Sequence, residues 1–87
     1  MREIEQATAF KKDIRRENLA ALNEVLPDVL SALVNNIRLD AKYKDHALTG
    51  KWAGCRDCHL RPDLIMIYEI NGNILILHRL GSHSELF

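Results

Sequence analysis

The chain has 87 residues, with 12 basic and 12 acidic side chains and therefore no net charge at neutral pH. This length suits one domain, expected over residues 1–87, and a neutral protein does not hold nucleic acid by overall electrostatic attraction. The longest apolar run, residues 64–68, is much shorter than the roughly 18 residues of a membrane span, so we expect no membrane partner.

The N-terminal segment and the cysteine content indicate a cytoplasmic protein. Residues 1–13 contain no apolar stretch of the kind found in secretory signals. We therefore expect the chain to stay in the reducing cytoplasm, where its two cysteines are free thiols rather than a disulfide.

Charge is unevenly distributed along the chain. Residues 42–61 carry five basic and two acidic residues, a local charge of +3, whereas residues 1–36 carry a local charge of −1. A basic patch of this kind is either a solvated surface or a site for a polyanion, and charge alone favours neither.

The first half of the sequence predicts one strand and two helices. Residues 2–7 alternate weakly and can form a short strand, and Thr8 is a candidate N-cap for a helix that continues through Leu19. Because proline disfavours helix at the residue before it, we place a break near Leu26 and a second helix over residues 27–35.

The second half predicts a loop and three strands. No periodicity holds over residues 37–50, so we expect a long loop that is functional or disordered. Strand-like segments follow at residues 51–60, 63–70 and 73–80, with turns at Arg61-Pro62 and Asn71-Gly72. The order β-α-α-β-β-β predicts an α+β fold, a twisted antiparallel sheet with two helices packed on one face.

The stretch Cys55-Arg-Asp-Cys58-His59 matches the C-x-x-C-H attachment signature of c-type haem and contains zinc-ligand residue types. On a strand, residues three apart have Cα atoms roughly 10 Å from each other and side chains on opposite faces. Neither one tetrahedral zinc ion nor a disulfide can join such a pair, and covalent haem also needs an oxidising compartment. We therefore expect no haem, no zinc and no other metal or cofactor.

Asp57 and His59 are two residues apart on the same predicted strand, so they face the same way while Cys58 faces the other. Arg61 is expected to follow on the Asp57/His59 face, and Arg56 on the Cys58 face. The acid and the histidine are either a site in which the carboxylate orients the imidazole or an ordinary surface pair, and the strand pattern leaves both open.

The last seven residues, GSHSELF, end the chain on an aromatic side chain. His83 and Phe87 are four residues apart, which places them on one face if the segment is helical or turned. Phe87 is either packed back onto the sheet or free to take part in function.

Three segments give the chain a specific resemblance to a known family. They are YKDHALTGKW (43–52), CRDCHLRPDLIMIY (55–68) and LHRLGSHSELF (77–87). Together they are similar to the YafQ-type branch of the RelE/ParE toxin superfamily, with its pattern Y-x-D-H-x-L-x-G-x-W, then R-[DE]-x-H-[IVL]-x-P-D-[LW], then R-[TL]-G-[ST]-H-x-x-L-F. The resemblance covers the whole chain, and neither cysteine belongs to the pattern.

The resemblance implies a RelE-like fold and a type II toxin, a ribosome-dependent endoribonuclease that cuts mRNA in the A site of the 30S subunit. It also implies a cognate antitoxin, expected to carry a ribbon-helix-helix DNA-binding segment. Members of the superfamily are often distinctly basic, whereas this chain is neutral, so affinity for the ribosome is expected to rest on residues 42–61.

Cutting RNA without a metal needs a base for the 2′-OH, stabilisation of the phosphorane charge, and an acid for the 5′-oxygen. Histidine suits both proton transfers because its unperturbed pKa of about 6.5 lies near the operating pH. The resemblance implies that His83 is the general acid and that either His46 or His59 is the base. It also implies acidic site members at Asp57 and Asp63.

The remaining site residues implied by the resemblance bind RNA. Phe87 is expected to stack on a base, a contact worth about 1–3 kcal/mol. The candidates for phosphate or ribosomal RNA are the basic side chains Lys44, Lys51, Arg56, Arg61 and Arg79. For Arg56 and Arg79 a structural salt bridge is an equal alternative, and His78, outside the matched pattern, is expected to be structural.

Two other functions fit the same sequence. One is a ParE-like toxin on this fold that poisons a topoisomerase by binding, a reading that three aligned histidines disfavour. The other is a degenerate toxin that keeps only antitoxin or RNA binding.

Overall fold

Two successive hairpins form the centre of the sheet in the computed structural model, which describes all of residues 1–87. Strands β3 (Arg56–Arg61), β4 (Leu64–Asn71) and β5 (Ile74–Gly81) pair antiparallel in sequence order. They confirm the three predicted strands, although the first of them begins at Arg56 and not at residue 51. The turns fall one residue later than predicted, at 62–63 and 72–73.

Strands β1 (Glu3–Gln6) and β2 (His46–Ala47) complete the sheet at its edges, in the order β1-β5-β4-β3-β2. β1 runs parallel to β5, so the sheet is mixed and the prediction of an antiparallel sheet was wrong in this respect. The direction of β1 is set by pairing with the last strand, which is distant in sequence and leaves no local signal. The α+β class itself is confirmed.

Two helices connect β1 to the rest of the sheet, but the break between them is not where the sequence predicted it. α1 comprises Thr8–Arg15, so its N-cap is Ala7 and not Thr8 as predicted. α2 (Leu19–Val34) follows after three residues. Asn18 begins α2, since its side chain accepts the N–H of Ala21 at 3.2 Å. No helix has the length and apolar character needed to cross a membrane.

Pro27 lies inside α2 and does not interrupt it, so the predicted break near Leu26 was wrong. A proline at this position removes the hydrogen bond to the carbonyl of Asn23, four residues earlier. Pro27 and Asn23 are both exposed, and water can bond the freed carbonyl. α2 ends at Val34, with Asn35 as its C-cap, close to the predicted end.

The sheet buries apolar side chains on both faces. The face covered by α1 and α2, here called the helix face, contributes to a core of twelve buried residues: Phe10, Leu22, Val29, Leu33, Cys58, Leu60, Leu64, Met66, Tyr68, Leu75, Leu77 and Leu80. The opposite face, here called the open face, carries a smaller cluster made of Cys55, Ile65, Ile67 and Leu86. Leu86 belongs to the short C-terminal helix α3 (His83–Leu86), which therefore packs on the open face.

Residues 37–50, expected as a loop, contain strand β2 and the 3₁₀ turn Ala41–Tyr43, and a second 3₁₀ turn, Gly50–Trp52, starts at the last residue of the segment. The carboxylate of Asp40 accepts the N–H of Lys42 at 2.9 Å, and that of Asp45 accepts the hydroxyl of Tyr68 at 2.5 Å. The segment is ordered by individual polar contacts, and such contacts produce no periodicity in the sequence.

Candidate active site

Asp57 and His59 lie on β3 and share the open face, as the strand pattern predicted. Asp57 is buried and His59 is half-buried, while Cys58 between them is fully buried in the core under the helices. Cys55 packs in the open-face cluster, so the two cysteines are on opposite sides of the sheet and are free thiols, as expected.

His46 lies directly across from Asp57, because β2 pairs with β3 in that register. Its Nδ1 atom is 2.9 Å from the carbonyl oxygen of Lys44 and 3.0 Å from Oδ1 of Asp57. The rings of His46 and His59 have their centroids 6.5 Å apart. The sequence left the position of His46 relative to β3 open, and the structure brings the two histidines and Asp57 together.

The carboxylate of Asp57 sits in an unusual environment for an acid. Burial raises its pKa above the ordinary value, and the nearby charges of His46 and His59 lower it without cancelling that effect. Oδ1 is buried and makes no hydrogen bond of good geometry, since the Nδ1 atom of His46 is directed at the Lys44 carbonyl. A buried carboxylate beside two imidazoles is suited to holding positive charge on them.

Asp45 joins the segment before His46 to the sheet. Its carboxylate accepts from the guanidinium of Arg56 at 3.3 Å through both Nε and Nη2, and from the hydroxyl of Tyr68 at 2.5 Å. Arg56 was a candidate for phosphate or ribosomal RNA, and here it is engaged in an ion pair on the helix face. Its position supports the alternative of a structural salt bridge.

The C-terminal segment is fixed by α3, which begins with a capping box formed by Ser82 and Glu85. The N–H of His83 donates to Oδ1 of Asp63 at 3.2 Å, so Asp63 contacts the backbone of His83 and not its imidazole. The rings of His83 and Phe87 lie 5.0 Å apart. Phe87 is 50% exposed, so it is not packed into the core.

Arg61 does not lie on the Asp57/His59 face, contrary to the prediction. The pairing of β3 with β4 shifts between His59 and Arg61, which interrupts the alternation of faces. The guanidinium of Arg61 therefore reaches α2, where it donates to Oε2 of Glu24 at 2.7 Å and to the carbonyl of Ala21 at 3.4 Å.

A cavity of about 290 Å³ lies between α2, β3 and the 3₁₀ turn that precedes β2. Its lining brings His59 together with three cationic side chains, those of Lys42, Lys44 and Arg61. Arg61 thus contributes charge next to His59 although its side chain points to the helix face. The cavity, here called the basic groove, accounts for most of the local positive charge of residues 42–61.

The other two basic candidates lie apart from the basic groove. Lys51 is in the 3₁₀ turn Gly50–Trp52 and lines a separate depression together with Phe87. Arg79 donates to the buried carboxylate of Asp13, through Nε at 2.7 Å and Nη2 at 3.3 Å. Arg79 therefore has the structural salt bridge that was one of its two predicted roles.

Comparison with known proteins identifies the family of this chain. The model of the YafQ family, bacterial toxins of type II toxin–antitoxin systems, matches residues 2–87. The chain belongs to this family. The mRNA interferase toxin YafQ of Escherichia coli K12 is 38% identical over 89 residues, covering 99% of this chain and 96% of the relative.

Solved structures of family members have the same fold as this YafQ-family toxin. The crystal structure of E. coli YafQ matches with a TM-score of 0.82 and 35% identity over 100% of this chain and 99% of the other. A metal-bound toxin from Helicobacter pylori matches with a TM-score of 0.83 and 41% identity over both full chains. The E. coli toxin in its DinJ–YafQ complex matches at 0.80, with 36% identity over 100% and 99% of the two chains. The RelE-like fold and the family resemblance expected from the sequence are confirmed.

The residues that sequence reasoning missed are those that support the site. Asp45 lies in the matched segment YKDHALTGKW but was not assigned a role, and neither was Tyr68. The helical pattern predicts Asp13 on the solvent-facing side of the first helix, which is wrong, since Asp13 is buried. The position of Asp45 immediately before His46 was an available signal. Nothing in the local sequence indicates that Asp13 binds Arg79, which is 66 residues away.

Proposed function

We propose that this toxin cuts mRNA on the ribosome, in the A site of the 30S subunit, by acid–base catalysis with its own histidines. As a member of the YafQ family it is an mRNA interferase and hence an endoribonuclease, so the proposal concerns where and how it cuts. The observation that carries the proposal is the placing of His46 and His59 beside the buried carboxylate of Asp57.

His46 is the candidate for the general base. In its neutral form the ring carries one proton, and the close contacts of Nδ1 are both with acceptors, the Lys44 carbonyl and the Asp57 carboxylate. The proton therefore belongs on Nδ1, which leaves the lone pair of Nε2 free to accept the 2′-OH proton. When His46 becomes an imidazolium, Asp57 stabilises its charge at 3.0 Å.

His83 and Phe87 are the candidates on the leaving-group side. His83 is exposed and is held at the start of α3 by the capping box and by Asp63. It is close enough to Asp57 for its charge to act on that carboxylate. We assign His83 as the acid that protonates the 5′-oxygen, and the half-exposed Phe87 as the surface on which a base stacks.

The basic groove is the candidate for holding the phosphate and nearby RNA. Lys42 and Lys44 line it beside His59, and cations placed near a phosphorane stabilise its developing charge. Arg61 also lines it, but its guanidinium is paired with the exposed Glu24. Lys51, beside Phe87, is assigned to RNA or ribosome contacts outside the reacting phosphate. Arg56 and Arg79 serve chiefly to hold the site, since both are engaged by aspartates.

We also propose that a cognate antitoxin neutralises this toxin and that the pair is cytoplasmic. The proposal is supported by the E. coli relative, which is crystallised in a complex with DinJ. A ribbon-helix-helix segment in the antitoxin would provide binding to operator DNA.

The direct test is to map the 5′ ends of mRNA after induced expression, and to repeat the reaction with purified toxin, with and without ribosomes. We expect new ends only when ribosomes are present, and their loss in His83→Ala with unchanged circular dichroism and antitoxin binding. Cleavage of free mRNA would overturn the ribosome dependence. Growth arrest without new ends would favour the ParE-like mode, and neither arrest nor cleavage would indicate a degenerate toxin.

A further inference from the structure

Three metal-ligand side chains meet on the open face, outside the candidate active site. They are Cys55, from the turn before β3, Glu69 on β4 and His78 on β5. The Cys55 Sγ atom, a carboxylate oxygen of Glu69 and a ring nitrogen of His78 all lie within 4.8 Å of one another. None of the three has a part in the proposed RNA chemistry.

An irregularity in the sheet places His78 in this cluster. β5 has one more residue than β4 between the pairs Tyr68–Leu77 and Ile67–Arg79, and that extra residue is His78. A bulge of this kind redirects a side chain, and here Nε2 of His78 comes to 2.8 Å from Oε1 of Glu69.

The backbone of Cys55 is also held in place. Its N–H donates to the carbonyl of Trp52 at 2.9 Å, and its own carbonyl accepts the N–H of Leu48 at 2.9 Å. Its side chain is buried in the open-face cluster, so Sγ is fixed next to two half-buried polar groups. An ion pair alone explains why Glu69 and His78 lie side by side. It does not explain why a cysteine thiol lies next to both of them.

We propose that Cys55, Glu69 and His78 bind one zinc ion. Thiolate, imidazole and carboxylate are the three ligand types that zinc takes in proteins, with bonds of about 2.0–2.3 Å to each. Magnesium and calcium prefer all-oxygen sites and do not suit a thiolate. Glu69 and His78 are only half-buried, so we expect water to supply the fourth ligand.

This proposal revises the expectation that the cysteines bind no metal, and it agrees with the argument that they cannot do so together. Cys58 is in the core under the helices, on the other side of the sheet. The metal partners of Cys55 are instead residues 14 and 23 positions later. The β3–β4 pairing brings Glu69 next to Cys55, and the β4–β5 pairing brings His78 next to Glu69.

A bound ion would join the turn before β3 to two strands of the sheet. The ring of Trp52, in that turn, lies 5.9 Å from His78, and Trp52 packs against the same cluster as Leu86 of α3. Zinc is therefore expected to raise the thermal stability of the folded chain, since a ligand that binds only the native state stabilises it.

Cobalt(II) is the probe that tests the site, because a cobalt–thiolate bond gives a charge-transfer band in the near ultraviolet. We expect the full-length toxin to bind one equivalent with this band, and zinc to displace it. Cys55→Ser should abolish the band, and His78→Gln should weaken cobalt binding at least tenfold. Cys58→Ala is the matched control, since it removes the other cysteine and should keep the band.

The histidines of the candidate active site offer no thiolate, so metal bound there gives no such band. Absence of the band at saturating cobalt, its survival in Cys55→Ser, or unchanged affinity in His78→Gln would each overturn the proposal. If Cys58→Ala does not fold, as judged by circular dichroism, the comparison of Cys55→Ser with His78→Gln still decides, because His78→Gln keeps both cysteines.

Discussion

The Nδ1 atom of the exposed His46 lies 3.0 Å from the buried Oδ1 of Asp57, across the pairing of the two-residue strand β2 with β3. The carboxylate makes no well-formed hydrogen bond through this oxygen, and burial raises its pKa. The folded protein thus keeps a carboxylate where its charged form is disfavoured. Burying this charge lowers the stability of the fold, but the charge stabilises the imidazolium that forms when His46 takes up a proton.

Replacing Asp57 by Asn is expected to change both the cleavage activity and the stability of the toxin. We expect mRNA cleavage to fall about 100-fold, within the range usual for loss of acid–base function, because the amide cannot stabilise an imidazolium at His46. We expect the free energy of unfolding at pH 7 to rise by about 1 kcal/mol, since a disfavoured buried charge is removed. Single-turnover cleavage on programmed ribosomes and urea unfolding measure the two effects.

The pH dependence of stability shows whether the gain expected for Asp57→Asn comes from removing the buried charge or from a change in packing. Because the pKa of Asp57 is raised on folding, this carboxyl makes the wild type progressively less stable relative to Asp57→Asn as pH rises above the unfolded value of about 3.9. The difference between the two should be small at pH 3 and largest near neutrality. A difference that is constant with pH would contradict this account.

The second prediction concerns the terminal aromatic. Phe87 is half-exposed, so Phe87→Ala should change the free energy of unfolding by less than about 0.5 kcal/mol. Loss of stacking worth about 1–3 kcal/mol should lower cleavage by roughly 5- to 150-fold. Phe87→Trp, which keeps a stacking surface, should restore most of the rate. Equal rates for Phe87→Ala and the wild type would remove Phe87 from the site.

The sequence indicated the strands well because the signal for them is local. Alternation across β3 placed Asp57 and His59 on one face, and the Asn71-Gly72 dipeptide marked the hairpin, where Gly72 has a φ of +60°. Family segments also indicated which histidines to consider. These features depend on neighbouring residues or on short motifs.

The features that were predicted wrongly or missed have one property in common: each depends on contacts with residues distant in the sequence. The parallel pairing of β1 with β5 joins the two ends of the chain, and the bulge beyond His59 moves Arg61 to the helix face. Pro27 was misjudged because its cost depends on whether the Asn23 carbonyl is solvated, which is a tertiary property. The cluster of Cys55, Glu69 and His78 likewise forms only when β3, β4 and β5 are paired.

The third prediction concerns the basic groove. Neutralising Lys44, which lines it beside His59, should weaken ribosome binding and lower the slope of log affinity against log salt by about 0.7–0.9. Asn is the suitable replacement because the φ of Lys44 is +50°, a conformation that Asn tolerates. Lys11→Gln, at an exposed position of α1, is the control and should leave the slope unchanged. Equal slopes for Lys44→Asn and the wild type would exclude a contact between Lys44 and RNA.

The last prediction concerns Asp13, the buried carboxylate that holds α1 against β5. Burial by itself raises its pKa, but hydrogen bonds from Arg79 at 2.7 Å and from the N–H of Leu80 at 3.0 Å outweigh burial and lower it. The stabilisation is therefore complete above the unfolded pKa of about 3.9 and is lost as pH falls through the lower folded value.

Asp13→Asn should accordingly reduce the free energy of unfolding at pH 7 by about 2–3 kcal/mol, the usual size for loss of hydrogen bonds to a charged group. The reduction should shrink as pH falls below about 4, because Asp13 is then protonated first in the unfolded chain and, at lower pH, in the folded wild type. Urea unfolding at several pH values measures both effects, with Asp28→Asn on the exposed side of α2 as a control that should change stability by less than about 0.5 kcal/mol. If Asp13→Asn were as stable as the wild type at pH 7, the ion pair with Arg79 would not be what fixes α1 to the sheet, and Arg79 would again be a candidate for RNA.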